Sequence, residues 1–403
     1  MIEDSLPLAT AATLDRHADA RTAGLSAAEA LSEALKGPAD AVILFASFHH
    51  ASALPEVVRT LRHELAPAAT IGLTTQSVLG GAEELEHGPG MSVLALRFPG
   101  CRIRAFAFDY NDGPPEVWTR DLVRSRLRPS SPPRGAILFA DPFTAGSDIL
   151  PARIADALPA ETPVLGGLAS GGSQPGANVL VANDTVTNSG AVGLLLEGQI
   201  EMETLLSHGC RPVGTPMVAT DIDGPTLRGL GGTSAVQAIQ AQARLLNDAD
   251  RAHFAERPLI GIATDPTKPR FGRSDFLVRT VAAANERHGT LLLNGPIRRG
   301  STVQLLVRDS KTASEDLAMS LDLASMDPRK PAASLVVTCT ARGSDLFGDP
   351  SHDAREIQRR LGNPPQAGFM ATAEIAPVSG VPRLHGLGVA AALFRSPLQL
   401  PDT

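Results

Sequence analysis

The chain has 403 residues, of which 43% are hydrophobic and 20% charged, as in globular proteins long enough to bury two hydrophobic cores. Its net charge of -7 disfavours binding to nucleic-acid phosphates and anionic membranes. With one Trp and one Tyr, the chain also has few aromatic side chains on which bases can stack. We therefore expect neither nucleic acid nor a membrane as a partner.

The chain ends and cysteines favour a cytoplasmic location. Cys101, Cys210 and Cys339 are far apart and show no paired spacing typical of a disulfide framework or a zinc site. The N-terminus carries Glu3 and Asp4 where a secretory signal needs cations. Apolar runs reach about ten residues, whereas a membrane-spanning helix needs about 20. We expect a cytoplasmic protein without a metal or other cofactor.

A strand–helix–strand–strand pattern occurs three times along the chain. In each unit a continuous apolar run predicts a strand buried on both faces, and apolar residues at three-and-four spacing predict a helix. A second strand contains glycine, which indicates close approach of another backbone or a β-bulge, and a final apolar strand completes the unit. The predicted opening strands are residues 41–47, 136–141 and 334–340; the glycine strands are 70–75, 163–170 and 366–372; the final strands are 90–96, 190–196 and 384–391.

The region between the second and third units has elements of its own. Alternating and continuous apolar runs predict strands at residues 200–207, 259–263, 276–281, 291–294 and 303–307, and helices at 235–246 and 313–323. The Pro/Ser-rich residues 128–134 are typical of an interlobe loop. Residues 221–232 are predicted to be the seam between two regions.

These patterns predict an α/β (α+β) fold in which duplicated strand–helix–strand–strand units form mixed sheets flanked by helices. The predicted division of the chain is an N-terminal helical extension at residues 1–36, a first region at 37–222 and a second region at 223–403.

The order of several glycine-rich motifs resembles that of the FIST family, with an N-terminal and a C-terminal FIST region. The motifs are residues 72–81 with the acidic residues 83–86, 163–172 with Asn178, 190–193, 339–343, 373–375 and 384–386. The resemblance runs from about residue 40 to residue 394. It implies two FIST lobes and a bacterial-type sensory module that binds small ligands such as amino acids. Members of the family are often fused to signalling domains, and no such domain is recognisable here, so a signal output would come from oligomerisation, from a separate signalling partner protein, or not at all.

The chain departs from the family pattern at five positions, which leaves the identity of the ligand open. Three lie in the first motif, and two lie near the C-terminus: Leu73, Gln76, Ser77, Ala373 and Gly388.

We expect ligand-binding residues at the strand ends of the repeated units. The Arg342 guanidinium suits a ligand carboxylate and Glu374 suits an amine, while the roles open to His385 are ligand binding or titration near neutral pH. The alternatives are a salt bridge from Arg342 to Glu374 or Asp345, a helix cap formed by Glu374, and a buried structural histidine. The predicted ligand-binding residues are Gln76, Ser77, Ser170, Cys339, Arg342, Gly343, Glu374 and His385.

Three classes of function are considered. The repeated polar strand ends favour a sensor of small molecules, and we expect no enzyme because no catalytic constellation is recognisable. One alternative is an enzyme with Cys339 or Ser170 as nucleophile and His385 as base. The other is a scaffold that recognises a protein through an exposed strand edge or apolar patch. The acidic residues 83–86 predict a solvated loop.

Overall fold

The computed structural model describes residues 8–397 and contains two compact units. The first unit comprises the chain up to Leu206 together with the chain from Ser320 onward, and the second comprises Ser207–Met319. Helices and strands are mixed throughout, so the predicted α/β fold class is confirmed.

The first unit is built from three repeats of one pattern: strand, helix, strand, helix, strand, hairpin and strand. The first repeat contains β1 (Ala9–Asp15), α1 (Ala20–Leu35), β2 (Ala41–Ser47), α2 (Leu54–Leu65), β3 (Ala69–Thr75), the hairpin strands β4 (Val78–Gly80) and β5 (Glu83–Leu85), and β6 (Met91–Arg97). The second contains β7 (Cys101–Phe108), α3 (Arg120–Leu127), β8 (Pro133–Ala140), α4 (Ile149–Ala157), β9 (Val164–Leu168), the hairpin strands β10 (Leu180–Ala182) and β11 (Thr185–Thr187), and β12 (Ala191–Gly198).

The third repeat begins with β13 (Glu201–Ser207) and is then interrupted by the second unit. The inserted elements are β14 (Cys210–Asp223), β15 (Thr226–Leu230), β16 (Thr233–Ser234), α5 (Ala235–Arg244), α6 (Asp248–Glu256), β17 (Leu259–Ala263), β18 (Phe276–Asn285), β19 (Thr290–Leu293) and β20 (Thr302–Arg308). The chain continues with α7 (Ser310–Ala324), which belongs to the second unit up to Met319 and to the first unit from Ser320 onward. The repeat then comprises β21 (Ala333–Cys339), α8 (Ser344–Phe347), α9 (His352–Arg360), β22 (Gln366–Ala371), the hairpin strands β23 (Glu374–Val378) and β24 (Val381–His385), and β25 (Val389–Arg395).

Each repeat contributes the centre of one six-stranded sheet. The opening strand pairs in parallel with the glycine strand on one side and antiparallel with the final strand on the other. Both faces of these central strands are covered, which explains their continuous apolar sequences. The sheet orders are β1-β6-β2-β3-β10-β11, β7-β12-β8-β9-β23-β24 and β13-β25-β21-β22-β4-β5.

The three repeats exchange their hairpins in a closed cycle. The β4–β5 hairpin of the first repeat pairs with β22 of the third, and the β23–β24 hairpin of the third pairs with β9 of the second. The β10–β11 hairpin of the second repeat pairs with β3 of the first, which closes the cycle. Every glycine strand is therefore completed by a hairpin from another repeat.

The inner faces of the three sheets share one hydrophobic core. At its centre Phe45, Phe139 and Phe369, one from each sheet, lie with ring centroids 4.9 to 5.6 Å apart. Aromatic pairs at this separation add about 0.5–1.5 kcal/mol each beyond their buried area. Helices α1 and α2 cover the outer face of the first sheet, and α3 and α4 cover that of the second.

In the second unit six antiparallel strands pair in a closed ring around a separate hydrophobic core. The strands follow the order β14-β20-β17-β18-β19-β15, and β15 pairs back with β14.

Several sequence-based boundaries differ from the structure. The predicted helical extension contains strand β1 as well as α1, because a strand at a sheet edge needs no continuous apolar run. Residues 221–232, predicted to be a seam, lie mostly in the paired strands β14 and β15. The predicted final strand at residues 384–391 combines the end of β24 with the start of β25. The division of the chain at residue 222 stays a prediction.

Candidate functional site

The three glycine strands of the first unit end at one cavity of about 460 Å³. Cavities of roughly 300–1,000 Å³ are typical of small-molecule sites. We call it the strand-end cavity, and its lining residues are Phe48, Gln76, Ser170, Gly171, Gly172, Ser173, Thr340 and Thr372.

Three of the lining residues occupy equivalent positions in the repeats. In every repeat the glycine strand donates one N–H to a carbonyl of the exchanged hairpin segment, and these bonds join Thr74 to Val179, Leu168 to Ala373 and Met370 to Ser77. Gln76, Ser170 and Thr372 each lie two residues beyond such a bond. The cavity is therefore a shared product of the repeats, and polar side chains converge on it from all three.

The Ser170 hydroxyl connects the three repeats at the cavity floor. Its Oγ lies 2.5 Å from the carbonyl oxygen of Met370, to which it donates, and accepts the N–H of Gln76 at 3.0 Å. It also lies 2.9 Å from Oγ1 of Thr75. These bonds fix the Ser170 side chain in one orientation, so the cavity is formed without a ligand.

Two buried side chains, Asp141 and Asn178, hold the glycine-rich side of the cavity in place. Asn178 accepts the N–H of Gly172 at 2.8 Å through Oδ1 and donates to Oδ1 of Asp141 at 2.9 Å through Nδ2. Both supporting side chains are fully buried. Because a buried polar group is costly unless it is bonded, this pair holds the loop at residues 171–173 in place.

The lining offers hydrogen bonds and one ring but no formal charge. Four side chains carry hydroxyls and Gln76 carries an amide. Phe48 is half exposed, and its ring stacks on the ring of His49 with centroids 4.0 Å apart. Such a surface suits a small polar ligand that is neutral or zwitterionic.

The structure brings together two of the predicted ligand-binding residues, Gln76 and Ser170, in the strand-end cavity. The other six do not line it: Ser77, Cys339, Arg342, Gly343, Glu374 and His385. The expectation that Arg342, Glu374 and His385 share a hollow with Gln76 and Ser170 is therefore corrected, because all three are buried in the protein.

Arg342 forms a buried ion pair with Asp353. Its Nε and Nη2 lie 2.5 and 2.8 Å from the two carboxylate oxygens, and both residues are at most 1% exposed. Burial alone would raise the pKa of Asp353, but the adjacent Arg342 guanidinium holds that pKa well below its usual range. The predicted partners of Arg342 were Glu374 or Asp345, whereas its bidentate partner is the first-turn residue of α9.

The remaining predicted residues serve the hairpins and the strand ends. Glu374 and His385 face each other across β23 and β24, where Glu374 accepts the N–H of Gly388 at 3.2 Å and His385 Nε2 lies 3.0 Å from the Ala376 carbonyl. Ser77 donates to the Glu86 carbonyl at 2.9 Å. Cys339 ends β21 and is buried, and Gly343 precedes α8 with a positive φ of 73°.

The acidic residues 83–86 are not a solvated loop, because two of them are attached to helix N-termini. Glu84 is buried and accepts the N–H of Ala354, in the first turn of α9, at 2.8 Å. Glu86 accepts the N–H of Ser344, the first residue of α8, at 2.9 Å. Carboxylates are favoured at helix N-termini, where unpaired N–H groups carry partial positive charge.

Glu84 makes stability depend on pH. Burial and the nearby charge of Asp353 raise the pKa of Glu84 to about 8, above the unfolded value near 4.5. Folding therefore takes up a proton between these values, and the stabilisation is complete below about pH 4.5 and is lost as pH rises towards 8.

We expect Glu84→Gln to remove this dependence. Gln keeps the acceptor for Ala354, so the free energy of unfolding should lose a slope of about 1.4 kcal/mol per pH unit relative to wild type. Urea titrations from pH 5 to about 8 measure the slope. Glu83→Gln, at the exposed neighbouring position, should keep the wild-type slope. Equal slopes in all three proteins would contradict the prediction.

Six lining residues are absent from the predicted set: Phe48, Gly171, Gly172, Ser173, Thr340 and Thr372. Thr372 stands at the position equivalent to Gln76 and Ser170, so alignment of the three repeats by their glycine strands contained the signal. Phe48 and Thr340 follow the equivalent last residues of two opening strands, Ser47 and Cys339, whose N–H groups donate to Gly90 and Gly388.

Within residues 8–397, no group of three or more His, Cys, Asp or Glu side chains is placed to hold a metal ion. Over the same residues, no helix combines the length and the apolar character needed to span a bilayer.

Comparisons with known proteins identify relatives over nearly the whole chain. The model of the FIST N domain matches residues 40–233, and that of the FIST C domain matches residues 238–377. An uncharacterised protein of Mycobacterium tuberculosis strain H37Rv is 32% identical over 384 residues, which are 93% of this chain and 96% of the relative. An uncharacterised protein of Mycobacterium bovis is 31% identical over 379 residues, again 93% and 96%.

Proposed function

The chain belongs to the FIST family, and on that premise we propose that it is a sensory protein that binds a small polar metabolite in the strand-end cavity. FIST domains are associated with sensing in signal transduction. The observation that carries the proposal is the convergence of Gln76, Ser170 and Thr372, from equivalent places in three repeats, on one preformed cavity.

The lining indicates the class of ligand. Hydroxyls of Ser173, Thr340 and Thr372 and the amide of Gln76 offer both donors and acceptors, while Phe48 offers an apolar face at the rim. An amino acid or a metabolite of similar size and polarity fits this surface, because its charged ends can be solvated by hydroxyls and amides while its side chain packs on the ring.

We propose binding without catalysis. A nucleophilic serine needs a base to accept its proton, whereas the Ser170 hydroxyl donates to the Met370 carbonyl. Cys339 is 4% exposed, and reactive thiolates lie in exposed, electropositive sites. If Cys339 in the folded protein reacted rapidly with a thiol probe at neutral pH, the enzymatic alternative would gain support.

The proposal places the protein in the cytoplasm and assigns its output to a separate signalling protein. Cys101, Cys210 and Cys339 are present as thiols rather than disulfides, as is usual in reducing compartments.

Ligand binding is testable by thermal unfolding against a panel of amino acids and related metabolites. A true ligand at 100 times its Kd stabilises the folded state by about 2.7 kcal/mol and raises the Tm. Gln76→Ala, at an exposed lining position, should reduce this rise while leaving the unliganded Tm nearly unchanged. Gln240→Ala, on the exposed face of α5, is the matched control and should respond like wild type.

The proposal fails if no panel member changes the Tm of the folded protein. It also fails if a ligand stabilises the wild type and Gln76→Ala equally, because the ligand would then bind elsewhere.

A further inference from the structure

A second cleft lies beside a loop that distinguishes the second repeat from the first. In the first repeat residues 16–19 connect the outer strand to its helix, whereas the second repeat uses the longer segment 109–119 between β7 and α3. Surface loops held by a packed scaffold often carry binding residues. This loop carries Tyr110, which is 85% exposed, the highest exposure among the large hydrophobic residues of the described chain.

Tyr110 stands between two adjoining hollows of about 470 and 460 Å³. Pro114 and Phe143 line the first hollow, Val186 and Asn188 line the second, and Asp109 and Tyr110 line both. We call the two hollows together the Tyr110 cleft. Because both hollows are lined by Asp109, Tyr110, Asn111 and Ser189, they adjoin, and together they offer room for a short segment of chain.

One wall of the cleft is an open sheet edge. Strand β11 is the last strand of the first sheet, and its three residues, Thr185, Val186 and Thr187, line the second hollow. An edge strand presents N–H and C=O groups that have no partner strand, and an extended peptide can pair with them. Val186 is 46% exposed beside this edge, so the apolar surface continues from the Tyr110 ring onto the strand.

The charged residue that lines the cleft is an acid. Asp109 lines both hollows, whereas the neighbouring acids Asp184 and Asp112 are paired with Arg62 and Arg126. Among the described residues that line the cleft, none is Lys or Arg. A basic peptide is therefore complementary to the cleft in charge.

A chain of hydrogen bonds joins the cleft to the strand-end cavity. Thr144, which lines the cleft, donates to Oδ2 of the fully buried Asp141 at 2.7 Å. The other oxygen of Asp141 accepts from Asn178, which in turn holds the N–H of Gly172 in the lining of the cavity. The first hollow of the cleft and the proposed metabolite site are thus joined through the buried Asp141.

We propose that the Tyr110 cleft binds an extended, basic segment of a partner protein, which pairs with β11 and packs an apolar side chain on Tyr110. The role of this surface as the output of a sensor rests on the proposed function, but the binding itself does not require a metabolite.

The test is selection of random dodecapeptides displayed on phage against the full chain, followed by fluorescence-polarisation titrations with the enriched peptides. We expect the enriched peptides to combine Lys or Arg with apolar residues. Tyr110→Ala should weaken their binding at least about tenfold, because the exposed ring provides the apolar contact. Val186→Pro should weaken it similarly, because proline removes a backbone donor from the edge.

A control at a distant sheet edge is Val381→Thr, on the exchanged-hairpin strand β24 of the second sheet, where the valine is 44% exposed and the change keeps its backbone N–H. It should leave the peptide Kd unchanged. Emission of Trp118, whose Nε1 donates to the Gly113 carbonyl at 2.9 Å, gives an independent signal from the loop and should change on binding.

Selection that enriches no peptide, or only acidic peptides, overturns the proposal. Binding unaffected by Tyr110→Ala overturns it too, and this variant sits on an exposed loop, so its folding is not in question. A metabolite-induced rise in Tm without peptide binding would leave the proposed function standing while removing the docking surface.

Discussion

Replacing Asp353 with alanine is expected to lower the free energy of unfolding by about 3–5 kcal/mol, since the change leaves the buried Arg342 guanidinium without its carboxylate. Arg342 donates to both oxygens of Asp353, and neither side chain reaches solvent. Thr338 also donates to Asp353 at 2.9 Å and would lose its acceptor. Urea unfolding at pH 7 measures the loss.

A neighbouring exposed pair provides the control for Asp353. Arg355 and Asp349 also form a two-bond ion pair, at 3.0 and 3.2 Å, but the Asp349 side chain is 53% exposed. Exposed pairs contribute about 0–1 kcal/mol, so Asp349→Ala should cost little. The double variant Arg342→Met with Asp353→Ala should recover part of the loss, because no unpaired charge then remains buried. Equal losses for Asp353→Ala and Asp349→Ala would show that the ion pair is not buried as described.

Adding one methyl group to the glycine strands should destabilise the protein in a graded way. A Cβ at Gly166 would lie 1.7 Å from the Leu138 carbonyl oxygen, and one at Gly368 would lie 1.9 Å from that of Val336. At Gly72 the corresponding distance, to the Leu44 carbonyl oxygen, is 2.9 Å. The contacts are with backbone of the paired opening strand, which cannot move without breaking the parallel ladder.

We therefore expect Gly166→Ala and Gly368→Ala to cost about 3 kcal/mol or more, at the upper end of the usual cost of overpacking, and Gly72→Ala to cost less. Gly386→Ala is the control, since a Cβ there meets no atom within 4 Å. Chemical denaturation gives the four values, and failure to obtain folded Gly166→Ala counts as the largest loss. The expectation is wrong if Gly166→Ala is as stable as Gly386→Ala.

These glycines also show what the sequence could predict. Gly72, Gly166 and Gly368 recur at one place in the repeated pattern, and close approach of a second backbone, expected from that recurrence, is confirmed. Continuous apolar runs also identify the opening strands, because both faces of these strands are buried.

The exchanged hairpins were not predicted, for a physical reason. Strands such as β4 and β10 have three residues each, too few for a periodic signal, and their partners lie far away in sequence. The prediction that Glu84 lies in a solvated loop is wrong for the same reason, because the residues that bury it belong to α9, about 270 positions later in the sequence.

The candidate site was predicted in part because polar residues at strand ends are visible in sequence, whereas burial is not. Gln76 and Ser170 lie one and two residues beyond the ends of glycine strands and line the cavity. Arg342 and Glu374 also follow strands, yet each is enclosed by neighbouring elements. The sequence predicts where a strand ends, but it does not predict which side chains at that end face a cavity.

Because the three repeats exchange hairpins in a closed cycle, the first unit cannot lose one repeat and keep its sheets complete. Deleting any repeat would leave one hairpin without a sheet to pair with and would leave the glycine strand of another repeat without its hairpin. Solenoids differ, because their modules contact only their neighbours in sequence. The first unit can therefore accept insertions in its loops, as the second unit inserted after β13 illustrates, but it needs all three repeats.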